Sequence, residues 1–330
     1  MIERIRHVDG TGHNPYENLA LEAALLESVE EGECILYLWQ NAKTVVIGRN
    51  QNAWKECRAA ELEADGGRLA RRLSGGGAVY HDLGNLNFTF LVKKKDYDLG
   101  RQLEVILRAS RLLGIEAEKT GRNDVTAGGR KFSGNAFYTH GENAYHHGTI
   151  LVDVDGEALS KYLTVSRKKL ESKGVDSVRS RIVNLSELNP GVTVEEVRAA
   201  MKTAFGGVYG LLPEPLPAER IDRTRLEALT EQFSAWGWRY GRKLAFTASA
   251  SGRFSWGEAE IQFEIGEGVV RRCEIYSDAM AAEPFSVFAH ALEGCPFSSR
   301  LLADRLSALS SLGCEEMVRD LCALIEGERY

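Results

Sequence analysis

From Asn14 onward, apolar residues recur with helical spacing, with Leu21, Leu25 and Val29 at i, i+4 and i+8. Asn14 stands where a cap belongs, Pro15 at the first helical position and Glu17 at the third, so the spacing predicts a helix over Pro15 to Glu30. Two β-rich runs follow, Ile35 to Trp39 and Thr44 to Ile47, separated by the polar stretch Gln40 to Lys43. In a third run, Asn87 to Val92, Phe88, Phe90 and Val92 alternate with Asn87, Thr89 and Leu91, which is the period of a strand. Leu99 to Leu113 returns to helical spacing through Leu103, Ile106 and Leu107. Asn123 to Val154 then holds three strand-like runs broken at Gly128-Gly129 and Gly141-Glu142-Asn143, the pattern of a β-meander.

Thr193 and Glu196 form a capping-box pair at the head of a helix reaching Tyr209, with Val194, Val197, Met201 and Phe205 along one face. The segment Leu211 to Pro217 carries three of the seven prolines, and a further helix is expected over Thr224 to Trp236. From about Ala248 onward, two or three strands (Arg253 to Trp256, Glu258 to Ile265, Val269 to Tyr276) and three short helices are expected. The mixture predicts an α+β fold with mixed and antiparallel sheets. A large domain over residues 1–247 precedes a small α+β domain over 248–330.

Length and composition agree with that division, since 330 residues at 44% hydrophobic and 27% charged suit two globular domains and exclude a disordered chain. Lys and Arg number 41 against 47 Asp and Glu, so no overall basic field draws the molecule to nucleic acid or anionic lipid. An anionic ligand must be met by a local patch. The amino terminus has no apolar core of a secretory signal, and no run approaches the ~18 apolar residues of a membrane span. Six cysteines are scattered without a C-x-x-C pair, as expected of free thiols in a reducing cytoplasm.

Four stretches could carry chemistry. In Arg71-Arg72-Leu73-Ser74-Gly75-Gly76-Gly77-Ala78-Val79-Tyr80-His81-Asp82, three glycines follow two arginines. Absent side chains let backbone N–H groups approach an anion and the arginines add fixed positive charge, which suits a phosphate or a carboxylate. The P-loop and Rossmann fingerprints are both absent. The second stretch runs Gly121 to Val125 and Arg130 to Ala136. A tight hairpin between them sets Asn123 and Asp124 across from Lys131 and Ser133, a group able to hold Mg²⁺ and an activated acyl phosphate or to form a plain surface ion pair. Asp124 is the one carboxylate in that hairpin and so the candidate Mg²⁺ ligand. In the third, His146-His147-Gly148-Thr149, adjacent histidines on a strand point to opposite faces and cannot share a metal. The fourth, Arg167 to Arg181, gathers basic residues around a glycine and two serines, either a solvated face or a loop that closes over phosphate.

These motifs in order, R-R-x-S-G-G-G-A-V-Y-H-D-x-G-N-x-N-F, G-R-N-D, R-K-x-S-G, H-H-G-T and K-G-V-x-S-V-R-S-R-x-x-N-L, resemble the lipoate-protein ligase A family. The resemblance runs from about Tyr16 into the C-terminal part. It implies a catalytic domain of the type shared with biotin ligases and a C-terminal accessory domain. It also implies ATP-dependent activation of lipoate to lipoyl-AMP, followed by transfer to a lysine of a partner. The partners implied are the lipoyl domains of 2-oxoacid dehydrogenase E2 subunits and the glycine-cleavage H protein. Position by position, Arg72, Gly77, Ala78, Val79, Tyr80 and Lys131 match the family's nucleotide-binding residues, and Lys131 also matches its lipoate contact. Phe132 and Asn135 depart from the commonest small residues of that motif, a difference expected to bear on the acyl pocket.

The residue types suit that reaction. A carboxylate attacking the α-phosphate of ATP brings two anions together, and a fixed cation such as Lys131 lowers the repulsion. The nearest rival is a lipoyl or octanoyl transferase of the same fold that uses a preformed adenylate or a carrier-bound acyl group. A silent lipoate binder is a third reading, against which the phosphate-binding motif stands.

Overall fold

The computed structural model describes residues 1–121, 124–164, 182–241, 245–310, 313–328 and 330. It opens with β1 (Arg4–Asp9), α1 (Pro15–Ser28), β2 (Glu33–Trp39), β3 (Thr44–Ile47), α2 (Ala53–Glu56), α3 (Ala59–Ala64), β4 (Arg68–Arg71), β5 (Val79–His81) and β6 (Asn85–Lys93). There follow α4 (Leu99–Leu112), β7 (Glu118–Thr120), β8 (Asp124–Ala127), β9 (Arg130–His140), β10 (Asn143–Leu151), α5 (Gly156–Tyr162), α6 (Leu185–Leu188) and α7 (Val194–Tyr209). After β11 (Glu214–Pro215), α8 (Arg223–Ser234) and α9 (Trp236–Tyr240), the chain ends in β12 (Ala248–Phe254), β13 (Gly257–Gly266), β14 (Val269–Ser277), α10 (Pro284–Leu292), α11 (Ser299–Ser307) and α12 (Glu315–Glu328).

Two compact units emerge. The first comprises Met1–Val46, Trp54–Arg71 and Ala78–Arg239, the second Ile47–Ala53, Arg72–Gly77 and Tyr240–Tyr330. The first is built on an eight-stranded sheet in the order β11-β1-β2-β6-β10-β9-β8-β7. β1 runs parallel to β2 and β11, and the pairs from β2 to β7 are antiparallel, so the sheet is mixed. Leu86, Phe88, Phe90 and Val92 of β6 enter an apolar core with Val105 and Ile106 of α4 and Met201 and Phe205 of α7. Each such side chain, fully buried, contributes about 1.5–3 kcal/mol. The opposite face carries Thr89 and Tyr37 and is covered by α1.

The helix ends follow the sequence closely. Asn14 Oδ1 accepts from the Tyr16 N–H at 3.1 Å, and Thr193 and Glu196 close a reciprocal capping box. The α7 helix stops at Gly210, whose φ of 68° is the left-handed conformation that glycine reaches without strain.

The second unit packs α10, α11 and α12 around Ile261, Phe263 and Ile275 of a three-stranded antiparallel sheet. Its first strand lies earlier than the expected Arg253 to Trp256. Trp256 stacks on Phe254 at 4.8 Å and buries in the core, so Ser255 and Trp256 form the turn.

Candidate active site

The β8–β9 hairpin turns on Gly128 and Gly129, with φ of 57° and 73°, the left-handed pair favoured in two-residue hairpins. Its register is Thr126↔Lys131, Val125↔Ser133 and Asp124↔Gly134, with a bulge between Val125 and Thr126. The bulge corrects the simple pairing expected from sequence, because the extra residue on β9 sets Gly134, not Lys131 or Ser133, across from Asp124. Lys131 and Asp124 still meet, with Nζ 2.6 Å from Oδ1, both side chains about one-third exposed (36% and 38%). A side chain at Gly134 would come within 3.0 Å of Lys131 Cε and Nζ, so glycine there leaves the lysine room to lie across the strand. The Gly134 N–H donates to Thr149 Oγ1 at 3.4 Å, and the Lys131 carbonyl accepts from the Val183 N–H at 2.9 Å.

Beside this pair, the same sheet face holds a buried polar chain that the sequence reading did not find. Glu22 of α1 is 1% exposed; its Oε1 accepts from Thr89 Oγ1 at 2.6 Å and lies 2.8 Å from His147 Nδ1. Trp39 Nε1 donates to Thr89 Oγ1 at 3.1 Å. The available signal was an acidic residue among Leu21, Ala23, Ala24 and Leu25 on a helix whose apolar stripe is wide. His146 points the other way, as adjacency on a strand requires. It is packed by Phe88, Phe90 and Phe137 and held down to about pKa 3 by burial and then by neighbouring His147, so it is neutral. Phe132 is in the same core, and Asn135 Oδ1 lies 2.7 Å from His146 Nε2, so both sit on the core face of the sheet rather than on the face of Lys131.

Ala78, Val79 and Tyr80 lead into and form β5, where Val79 pairs with Val46 and Tyr80 with Val45. The Tyr80 ring is buried 5.8 Å from that of Tyr162, and burial pushes its hydroxyl well up. Its side chain therefore faces α5, and its backbone is what β5 presents.

Arg72 and Gly77 belong to the second unit. Arg72 Nη2 donates to the carbonyls of Gly75 at 2.7 Å and Gly77 at 2.8 Å, and Nε to Ser74 Oγ at 3.0 Å, so the guanidinium holds the glycine loop in shape. Arg71, by contrast, is a bracing residue of the first unit, with Nε donating to the Trp238 carbonyl and Nη2 to that of Arg239. Gly75 has a role that an anion cradle does not require. A side chain there would lie 2.3 Å from the Ala279 carbonyl oxygen and 2.4 Å from that of Met280. Asn123 and the basic stretch Arg167 to Arg181 lie outside the described residues.

Residues 14–206, more than half of the chain, match the family model described as the lipoyl protein ligase A/B catalytic domain. The chain belongs to the lipoyl protein ligase A/B family. Residues 243–327 match the bacterial lipoate protein ligase C-terminus. Among solved structures, this family member is similar to P. falciparum LipL1 in complex with lipoate, at 28% identity and TM-score 0.78, over 92% of this chain and 94% of that one. It is similar to the bipartite lipoate protein ligase of Thermoplasma acidophilum, studied with its E2 lipoyl domain, at 29% identity and TM-score 0.64, over 74% of this chain and 99% of that one. A third likeness is to lipoate-protein ligase A bound with ATP, at 27% identity and TM-score 0.63, over 73% of this chain and 99% of that one. The lipoate-ligase fold of mixed sheet and helices is therefore shared with these neighbours.

Proposed function

We propose that this lipoyl protein ligase activates lipoate, or octanoate, with ATP to form the acyl adenylate and pyrophosphate, and then transfers the acyl group to a lysine of a lipoyl domain or of an H protein. The observation that carries this reading is Lys131 lying across Gly134 with Asp124 at 2.6 Å, a fixed cation on a sheet face lined with polar groups. Solved neighbours with lipoate, with ATP and with an E2 lipoyl domain support the three components. Lys131 would lie between the lipoate carboxylate and the α-phosphate, offsetting their repulsion and holding charge on the shared oxygens. Arg72, Gly77, Ala78, Val79 and Tyr80 would carry the nucleotide, chiefly through backbone groups of the glycine loop and β5.

Magnesium would be held by Asp124 together with the triphosphate, since Mg²⁺ commonly takes one or two carboxylates plus phosphate oxygens. The residues fit that pattern: Asp124 is partly exposed beside Lys131, and among the described residues no cluster of three or more His, Cys, Asp or Glu side chains forms a protein-only cage. Bound there, the ion would neutralise phosphate charge. The division into a catalytic domain at 1–247 and an accessory domain at 248–330 is supported by the family matches to 14–206 and 243–327. A cytoplasmic setting is supported by six free cysteines, with burial pushing the Cys34 and Cys57 thiols up to about 12. Among the described residues, no helix is long and apolar enough to cross a membrane.

The test is mass spectrometry of a lipoyl domain incubated with the protein, ATP, Mg²⁺ and lipoate. One lipoyl increment that depends on ATP is the expected result. An increment that requires supplied lipoyl-AMP and ignores ATP would replace the ligase reading with the transferase.

A further inference from the structure

Two side chains on the α1-covered face of the main sheet carry polar atoms that the site described above does not use. Asn85 and Asn87 are two apart on β6, so both project away from the apolar core, and they are 0% and 2% exposed. Asn85 Nδ2 donates to Asn87 Oδ1 at 3.0 Å. In this arrangement the outward end of Asn85 is its oxygen and that of Asn87 its nitrogen. It leaves Asn85 Oδ1 and Asn87 Nδ2 buried without a hydrogen-bond partner among the described residues. A buried polar atom left unpaired costs roughly 1–3 kcal/mol. This one pair carries two such atoms, one acceptor and one donor, where leucine of nearly the same shape would carry no such cost. Groups of this kind call for a partner.

Register places the pair beside Lys131. Asn87 lies directly across from Thr149 on β10. Thr149 Oγ1 in turn receives the Gly134 N–H, over whose α-carbon the Lys131 ammonium rests. With neighbouring strands ~4.8 Å apart, the amide pair and the ammonium flank the Thr149 position from its two sides. Trp39 lies across from Asn87 on the remaining side. Thr149 and Lys131 are partly exposed whereas the asparagines are buried, so the pair is the inner end of a row whose outer end meets solvent.

The ligand that satisfies this set must offer an acceptor and a donor close together, next to a cation. Carboxylate and phosphate oxygens supply acceptors alone. An acyl group under attack by an amine supplies both, a carbonyl oxygen and an N–H. We infer that Asn87 Nδ2 donates to the acyl oxygen of the adenylate and that Asn85 Oδ1 accepts from the N–H of the incoming lysine, an inference resting on the ligase reading above. The pair then serves the transfer half-reaction. In that step the free-base amine nitrogen bonds to the acyl carbon and the bond from that carbon to the AMP oxygen breaks. AMP leaves with the bonding electrons, and one proton passes to water. Neither amide takes a proton; Asn85 aims the nucleophile and Asn87 stabilises charge gathering on the acyl oxygen.

Two variants test this in the full-length protein. Asn85→Leu with Asn87→Leu removes both outward atoms together with their mutual bond, and Asn87→Asp keeps the oxygen that receives Asn85 Nδ2 while removing the outward donor. ATP–pyrophosphate exchange with lipoate reads activation, and single-turnover transfer from supplied lipoyl-AMP to a lipoyl domain reads the second step. Transfer is expected to slow by about 100-fold or more in both variants, with exchange held within about threefold, on the scale of losing one oriented donor. The melting temperature of the double variant should be unchanged or higher, as for buried polar atoms that have no partner within the chain. Equal losses in both half-reactions, or transfer at the wild-type rate, would overturn the inference. If the double variant does not fold, Asn87→Asp decides alone. Wild-type protein that performs neither half-reaction would overturn the ligase reading, and this inference with it.

Discussion

The N–H of Gly76 donates to the carbonyl of Ala279 at 2.9 Å. A loop whose glycines suggest an anion cradle thus directs one of its donors into its own chain. Nearby, Asn50 Nδ2 donates to the Ala282 carbonyl at 2.8 Å, and the Asn50 carbonyl accepts from the Ser277 N–H at 2.9 Å. Ile47–Ala53, Arg72–Gly77 and the C-terminal region therefore form one compact unit despite their distance in sequence.

Gly75→Ala should be costly and Gly77→Ala should not. A methyl group at residue 75 would sit 2.3 Å from the Ala279 oxygen, whereas nothing lies within 4 Å of one at residue 77. Thermal unfolding is expected to show a loss of about 1–3 kcal/mol for the first, the usual cost of overpacking, and almost none for the second. Equal melting temperatures would mean that the Ala279 contact adds nothing to stability.

Deleting residues 248–330 should abolish ATP-dependent activation while sparing at least part of the transfer from supplied lipoyl-AMP. The deletion removes Ala279 and Met280, the backbone against which Gly75 and Gly76 are packed, and so frees the loop proposed to hold nucleotide. A truncated protein that runs pyrophosphate exchange at the full rate would show that the loop needs no such support.

Lys131→Ala should lower pyrophosphate exchange by at least two orders of magnitude, since removing one preorganised charge costs on the order of 3–4 kcal/mol in the transition state. Its ion pair with Asp124 is about one-third exposed on each side (36% and 38%). Such a pair is worth about 1 kcal/mol or less to folding. The melting temperature should hardly move, and a variant that loses stability in step with activity would assign Lys131 a structural role.

Asp124→Asn tests the proposed magnesium contact. The amide keeps the side-chain shape and loses the negative charge, so the Mg²⁺ concentration for half-maximal exchange should rise about tenfold or more. An unchanged Mg²⁺ curve with a lower maximal rate would instead mean that Asp124 only orients Lys131.

Acid should destabilise the fold through His146. Its folded pKa of about 3 lies below the unfolded value of 6.5, so the unfolded chain takes up the proton first as pH falls. The contribution is fully present above pH 6.5 and declines from there down to about pH 3, by roughly 2–3 kcal/mol at pH 4.5, counting about 1.4 kcal/mol per pH unit. Unfolding titrations of wild type and His146→Gln should therefore diverge in slope between pH 6 and 4 and run parallel above pH 7. Parallel curves throughout would mean that His146 is not buried in neutral form.

Much of this architecture is legible along the chain because local rules and burial agree. Asn14-Pro15 starts α1, the Thr193–Glu196 box starts α7, and Thr44–Ile47 is a strand with the expected ends. The remainder depends on contacts distant in sequence. β1 is a short strand of Arg4, Ile5, Arg6, His7, Val8 and Asp9, defined by pairing with β2 and β11 rather than by its own apolar content. At the site, Asp124 and Lys131 are legible because a hairpin brings them together. Glu22 is not, because an ordinary polar residue gains meaning only once a helix and a sheet face bury it, and Asn85 and Asn87 stand in the G-N-x-N-F motif without any sign there of their burial or mutual bond. The assignment of Gly75 to a backbone contact is likewise invisible, since the sequence shows a missing side chain but not what occupies the space.

The β8–β9 turn carries one more consequence, for how this gene can change length. Gly128 and Gly129 alone separate Ala127 from Arg130, and alternation along β9 decides which residues look inward. One codon added or lost at this turn would reverse that parity, passing Lys131 to the core side and bringing Phe132 to the opposite face. Most surface turns tolerate insertions of that size; here the tolerated change would be a compensated pair, with the bulge shifting by the same step.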